Sequence, residues 1–282
     1  MSEHIEVRRT AKLFIGGAFP RSESGRTYEV KSPEGKFIAN AAQGSRKDAR
    51  DAVTAARAIQ PKWAGATAYN RGQILYRIAE MMEGRRAQFI DEVSPWAKSA
   101  KKAEAEVDEA IDRWIWFAGW SDKIAMVVGS SNPVAGPFFN FSVPEPTGVV
   151  AAIAPSRPAL LGLVDTIAPI IVSGNTTVVI ASEDAPMAAV TLGEVLATSD
   201  LPGGVINILT GSYAEVAPWL ASHMDVNAID LSGVENEKVA AELEKAAAEN
   251  LKRCLRPGTE LDGLTRLKNW LELKTVWHPR GF

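Results

Sequence analysis

Three apolar runs decide the fold of this chain: VVAAIA (149–154), TVVI (177–180) and VINIL (205–209). Two segments with helical periodicity separate these runs, around Leu160 to Val172 and Pro186 to Thr198. Near-continuous apolar strands that alternate with helices are typical of a parallel sheet covered on both faces. The stretch therefore predicts a doubly wound α/β unit.

The chain beyond this stretch extends the unit and then leaves it. A strand at Ala228 to Leu231 and a helix at Glu237 to Asn250 are expected, and Arg256-Pro257-Gly258 breaks the chain after them. A short helical turn and an alternating segment, Leu271 to Trp277, end the sequence as an exposed or edge strand would. Because this terminal strand has no hairpin partner nearby, it needs a sheet to join.

Short strands and helices precede the unit. Lys12 to Gln43 alternates between turn signals, which predicts hairpins. From Ser45, a suitable N-cap, the apolar period changes to about 3.6 residues, and Pro61 is expected to end that helix. Two further helices are predicted, at Asn70 to Arg86 and at about Ala97 to Ile124.

Four aromatic residues, Trp114, Trp116, Phe117 and Trp120, lie close together near the end of the third helix. They could form an aromatic binding box. Aromatic side chains three and four apart on an amphipathic helix more often pack into a core, so we interpret them as core residues.

Composition excludes several classes of function. The 282 residues carry a formal net charge of -3, which gives no electrostatic reason to expect nucleic acid. The polar start, Met1 to Thr10, and the absence of a long apolar run predict a cytoplasmic protein without a membrane span. A single cysteine, Cys254, and three scattered histidines, His4, His223 and His278, predict no disulfide and no metal site.

Several stretches, in their order along the chain, carry a family resemblance: LFIGGAF, FAGWSDKI (117–124), FSVPEPTGVVAAIAP (141–155), IAPIIVSGNTTVVIASE (167–183), LPGGVINILTG (201–211), ASHMDVNAIDLSG (221–233) and LELKTVWHP (271–279). They resemble the aldehyde dehydrogenase superfamily. The resemblance implies a Rossmann-like, doubly wound parallel sheet with an N-terminal helical segment and a small β oligomerisation arm.

The resemblance also implies four regions and one gap. The regions are 1–126 (N-terminal hairpins and helices), 127–147 (oligomerisation strands), 148–255 (a degenerate NAD-binding domain) and 256–282 (a linker and the C-terminal oligomerisation strand). In the family, a catalytic domain on the order of 150 to 200 residues lies between the last two matches. Here fewer than about 20 residues join them, too few to form a domain.

The family's chemistry, as the resemblance implies it, uses a cysteine thiolate, hydride transfer to nicotinamide and a glutamate base. Cys254 lies in the wrong place for the nucleophile, and Pro257 stands where the base would fall, with Glu260 nearby. Arg157 follows Pro155 and Ser156 where an asparagine amide would stabilise the oxyanion. No catalytic residue is therefore predicted.

The coenzyme pocket is expected to be eroded in the same way. Ile180 replaces the lysine that would hold the adenine ribose, and Glu235 and Glu237 place negative charge where the pyrophosphate would lie. NAD is disfavoured, and no cofactor is expected. The vestigial positions are Glu183, Gly211, Ser232 and Gly233.

Structural explanations compete with functional ones at three of these residues. Cys254 could be a reactive thiol, but a lone cysteine is more often a small buried apolar residue. Glu183 could cap a helix instead of holding a ribose. Arg157 could bind an anion, but we favour an ion pair with a carboxylate across the vacated cleft.

Three hypotheses about function follow. The first is a non-catalytic subunit that associates with a full-length aldehyde dehydrogenase, with itself, or with both, through strand addition. The second is a residual NAD-dependent oxidoreductase or nucleotide-binding module, and the third is a remnant without a role. The retained terminal strand argues against the third. The expected interface residues are Phe139, Phe141, Val143, Leu271, Leu273, Val276 and Trp277.

Overall fold

The computed structural model describes residues 10–259 and 261–281. Residues 1–9, with His4, as well as Glu260 and Phe282, lie outside the described residues. The strands are β1 (Thr10–Ala11), β2 (Thr27–Lys31), β3 (Phe37–Ala42), β4 (Ser130–Asn132), β5 (Phe138–Pro146), β6 (Val149–Ile153), β7 (Thr176–Ile180), β8 (Ile206–Leu209), β9 (Ala228–Asp230), β10 (Arg253–Leu255) and β11 (Leu271–Pro279). The helices are α1 (Arg46–Ala64), α2 (Ala68–Glu83), α3 (Arg86–Val93), α4 (Ala100–Ala118), α5 (Ile124–Val128), α6 (Ala159–Val172), α7 (Met187–Leu196), α8 (Tyr213–Ser222), α9 (Glu237–Ala247) and α10 (Gly263–Lys268).

The centre of the molecule is a five-stranded parallel sheet in the order β10-β9-β6-β7-β8. Every residue of β6, β7, β8 and β9 is buried, which explains why these strands read as continuous apolar runs. The chain winds from β6 towards β8 and then returns to place β9 on the other side of β6. The predicted doubly wound α/β fold is confirmed, and its topological switch point lies between β6 and β9.

Side chains of β6 divide between two apolar cores because successive residues point to opposite faces. Val150 and Ala152 pack with residues of α2, α4, α6 and α7. Val149, Ala151 and Ile153 pack with residues of α1, α8 and α9. Helices therefore cover both faces of the sheet, and no helix of the described residues is long and apolar enough to cross a membrane.

Helix α1 begins as predicted and ends later than predicted. Ser45 and Asp48 form a reciprocal capping box, in which the Ser45 hydroxyl accepts the Asp48 N–H and the Asp48 carboxylate accepts the Ser45 N–H. Pro61 lies inside the last turn, and the helix continues to Ala64. The prediction that Pro61 ends the helix is wrong, because a proline this close to the end removes little more than one backbone bond.

The aromatic residues of α4 mostly belong to the core. Trp114 and Phe117 are buried, as predicted, and Trp120 is half-buried. Trp116 is 42% exposed, so the core interpretation is wrong for this residue. The helix ends at Ala118, earlier than expected.

The arm is a separate three-stranded antiparallel sheet in the order β11-β5-β4. β11 pairs with β5 along its whole length, from Leu271 opposite Pro146 to Pro279 opposite Phe138. The terminal strand therefore joins a sheet built by its own chain. It remains an edge strand, because β5 is the only strand of the described residues that pairs with it.

The segment that joins β10 to the arm is folded into the core and is more than a linker. Helix α10 lies against α6, and Leu267 and Trp270 are fully buried. The Arg253 guanidinium donates to the carbonyl oxygens of Asn269 and Leu271 at 2.7 and 2.9 Å. These contacts fix where β11 begins.

Candidate functional site

The vestigial coenzyme positions meet at one edge of the central sheet. Glu183, Gly211, Ser232 and Gly233 each follow the carboxyl end of β7, β8 or β9. In open α/β sheets this edge holds the ligand crevice, at the topological switch point. The structure therefore brings these four residues to the place where a dinucleotide would bind.

Gly233 holds the two strands of the switch point together. Its N–H donates to the carbonyl oxygen of Ile153 at 3.1 Å. A Cβ at this position would lie 2.4 Å from the carbonyl oxygen of Ala154. Only glycine permits this approach of two backbones, which explains the residue without a ligand.

A buried ion pair occupies the crevice beside Gly233. Arg266, from α10, donates to the Ser232 hydroxyl at 2.8 Å and lies 3.1 Å from the Asp230 carboxylate. The Asp230 side chain is fully buried, and the Arg266 side chain is 17% exposed. Asp230 also accepts the Ser232 N–H at 2.9 Å. The hydroxyl and N–H of Ser232 are thus both engaged by protein groups.

A second ion pair lies close to Arg266, behind the crevice on α6. Asp165 lies 2.8 Å from Arg113 of α4. Burial raises the pKa of Asp165, while the positive charges of Arg113 and Arg266 oppose this shift. The crevice is therefore backed by charges that belong to the chain itself.

At the end of the crevice where the adenine ribose would lie, the side chains do not form a binding site. Ile180 is 1% exposed and packs in the core, so this position offers no polar group. The side chain of Glu183 is exposed, and its backbone carbonyl accepts the Tyr28 hydroxyl at 3.1 Å. Burial and the charge of Glu183 raise the pKa of Tyr28. Helix α7 has no side-chain cap, so Glu183 does not cap it; the Ser182 hydroxyl accepts the Ala185 N–H in the turn before the helix.

The groups that could carry chemistry do not converge. Cys254 lies in β10, two strands away from β6, whose end leads to Arg157. Burial raises the pKa of the Cys254 thiol, which disfavours the nucleophilic thiolate. Pro257 follows β10 in a turn. Among the residues described, no cluster of His, Cys, Asp or Glu could hold a metal ion.

Arg157 forms an ion pair, which is the contact that we expected from the sequence. Its guanidinium lies 3.9 Å from the Asp184 carboxylate and 6.0 Å from the centroid of the Trp96 ring. Both partners of the ion pair are well exposed, so the pair contributes little to stability.

As the structure describes it, the crevice does not fit a dinucleotide. Arg266 engages the Ser232 hydroxyl, Ile180 gives no ribose contact, and Leu231 and Val234 line the pocket beside exposed Glu235. A pyrophosphate needs free N–H donors and no nearby negative charge.

The seven predicted interface residues fall on both faces of the arm. Strand register places Phe139, Phe141 and Val143 on the face of Val276, whereas Leu271, Leu273 and Trp277 point to the other face. Leu271 is 6% exposed and belongs to the chain's own core. Its side chain therefore packs mainly within its own chain. The most exposed members are Phe139 (44%), Leu273 (59%) and Trp277 (59%).

Little in the sequence predicted the Asp230–Arg266 pair. An aspartate within an otherwise apolar strand, AID, is the one signal that could have been used, because a buried carboxylate needs a partner. The identity of that partner depends on the fold, since Arg266 lies far from Asp230 along the chain.

A doubly wound sheet with a ligand crevice at its switch point, joined to a small antiparallel arm, defines a dinucleotide-binding class of architecture. The aldehyde dehydrogenase family profile matches residues 19–263. This chain belongs to the aldehyde dehydrogenase family.

Individual relatives agree with this assignment. The chain is 32% identical over 257 residues to retinal dehydrogenase 2 of Gallus gallus, covering 89% of this chain and 48% of the relative. It is 31% identical over 254 residues to omega-crystallin of Enteroctopus dofleini, covering 88% and 50%. The chain thus spans about half the length of the curated relatives that it matches.

Solved structures give the same result. A betaine aldehyde dehydrogenase from Staphylococcus aureus, solved with NAD+, matches with a TM-score of 0.81 at 25% identity, over 86% of this chain and 48% of that one. An aldehyde dehydrogenase from Bacillus cereus, also solved with NAD+, matches in fold with a TM-score of 0.82 at 24% identity, over 87% and 50%.

Proposed function

We propose that this chain is a non-catalytic subunit of the aldehyde dehydrogenase family that associates with a full-length family member in the cytoplasm and stabilises or regulates it. The observation that carries the proposal is the combination of a crevice in which Arg266 engages Ser232 with an arm whose edge strand β11 is exposed.

The residues at the catalytic positions support the proposal that the chain is non-catalytic. Burial raises the pKa of the Cys254 thiol and so disfavours the nucleophilic thiolate, and the proline at the position of the base, Pro257, cannot accept a proton. The crevice also holds an internal cation where a coenzyme would have to contact Ser232.

The arm supports the association part. Strand β11 is nine residues long, and no strand of the described residues pairs with the backbone N–H and C=O groups along its outer edge. An exposed edge of this length is a template for strand addition and an aggregation hazard if it stays bare. Leu273 and Trp277 add exposed apolar surface on one face of the strand.

The competing hypothesis, a residual NAD-dependent oxidoreductase or nucleotide-binding module, makes a different prediction. It requires that the isolated chain bind NAD. Calorimetric titration of the isolated chain with NAD tests this directly. Binding at micromolar concentration by a homogeneous monomer would remove our proposal.

Association is tested by co-expression of the full chain with a full-length aldehyde dehydrogenase from the same source. We expect a complex by size-exclusion chromatography with light scattering, and we expect Leu273→Ala with Trp277→Ala to weaken it by about tenfold or more. Tyr69→Ala with Met224→Ala is the matched control, because these side chains are 72% and 68% exposed outside the arm. A chain that forms no complex, or only complexes with itself, contradicts the pairing with a full-length enzyme.

A further inference from the structure

A cationic cleft lies between α1 and α8, on the outer face of the helical layer and away from the crevice. Its volume is about 490 Å³, within the range of small-ligand sites. Among the described residues, none that line it is acidic. The lining residues are Arg46, Lys47, Arg50, Trp219, Ser222 and His223.

Arg46 is held in place without using its hydrogen-bond donors. Its Cζ lies 4.3 Å from the centroid of the Trp219 ring, a cation–π contact. Among the described residues, no carboxylate pairs with its guanidinium, so its planar set of N–H groups is free for an anion. A donor group that is already fixed loses less entropy when it binds.

The other two cations of the cleft have only weak partners. Lys47 pairs with Glu23, and Arg50 lies 2.7 Å from Asp51. All four side chains are about half exposed or more. Exposed pairs of this type contribute little, so a doubly charged anion can replace these carboxylates.

His223 adds a neutral donor to the cleft. Its Nδ1 accepts the Asp225 N–H at 3.2 Å, which leaves the ring proton on Nε2 in the neutral form. Burial lowers the pKa of His223, although the nearby Asp225 carboxylate opposes this shift. The ring is therefore a neutral N–H donor at pH 7.

Helix stability does not explain these cations. Arg46, Lys47 and Arg50 occupy the first two turns of α1, where the helix dipole favours acidic side chains and disfavours basic ones. The backbone N–H groups at this end are already served by the Ser45–Asp48 capping box.

We propose that this cleft binds the phosphate group of a small phosphorylated compound. The fixed Arg46 guanidinium, the exchangeable Lys47 and Arg50, and the His223 N–H together match a dianion that accepts several hydrogen bonds. The site is separate from the switch-point crevice, and the inference does not depend on the proposed association with another subunit.

Isothermal titration calorimetry of the full chain at low salt tests the proposal with three probes: inorganic phosphate, ADP and adenosine. We expect ADP to bind with a Kd on the order of 0.1 mM, inorganic phosphate to bind more weakly and adenosine not to bind. Because the contacts are ionic and exposed, higher salt should weaken binding steeply.

Variants locate the site. Arg46→Gln with Arg50→Gln should weaken ADP binding by about tenfold or more, and Trp219→Leu should weaken it less, since it only releases Arg46. Arg77→Gln is the matched control, an exposed arginine paired with Glu80 on α2, and should leave binding unchanged. Absence of binding by any phosphate probe, equal binding of adenosine, or full binding by the Arg46/Arg50 variant overturns the proposal.

Discussion

Replacement of Arg266 by methionine should destabilise the chain more than any surface change, because it removes the partner of a buried carboxylate. Asp230 is fully buried, and Arg266 supplies its only countercharge within 4 Å among the described residues. Removal of one partner of a buried pair typically costs about 3 to 5 kcal/mol. For a chain of this size, such a loss lowers the melting midpoint on the order of 10 °C.

A second substitution separates the charge from the packing of Arg266. Asp230→Asn in the Arg266→Met background removes the unpaired charge, so we expect it to recover most of the lost stability. Arg256→Met is the control, because Arg256 also pairs with a carboxylate, that of Glu244, but the Arg256 side chain is 71% exposed. That control should leave the midpoint unchanged.

Urea unfolding followed by tryptophan fluorescence, with a parallel thermal scan, measures these differences. An Arg266→Met variant that unfolds at the same urea concentration as the unsubstituted chain would contradict a stabilising role for the pair. A double variant no more stable than the single one would also contradict it, since the cost would then come from lost packing and not from the unpaired carboxylate.

Three further predictions concern Cys254, Asp165 and Glu106. Burial raises the pKa of Cys254, so its alkylation by iodoacetamide should accelerate only above the ordinary thiol pKa of about 8.5; rapid labelling at pH 7 would contradict this. Burial also raises the pKa of Asp165 in the folded chain. The protonated carboxyl therefore stabilises the folded state, and this stabilisation is lost as pH rises through the folded pKa. In urea titrations, Asp165→Asn should gain stability relative to the unsubstituted chain as pH rises from about 4. Glu106 accepts the N–H groups of Leu160 and Leu161 at 2.9 and 3.4 Å, at the start of α6, where Pro158 provides no side-chain cap. Glu106→Ala should lower the free energy of unfolding by about 1 to 2 kcal/mol. Glu106→Gln keeps an acceptor and should lower it less.

Local sequence patterns were sufficient for the central sheet. The runs 149–154, 177–180 and 205–209 are apolar at nearly every residue because strands covered on both faces expose none. The helix before β9, α8, was not predicted, since Pro218 lies inside it and interrupts the local signal. Apolar patterns of this kind predict burial well, but they predict the ends of helices poorly.

The α/β class and the family follow from the sequence alone, because strand burial and the identity of single residues are local properties. What fills the crevice and what the last strand joins depend on the tertiary structure. Arg266 meets Asp230, and β11 meets β5, across long stretches of chain. Such pairings are set by the packing of whole layers, which no short window of sequence contains.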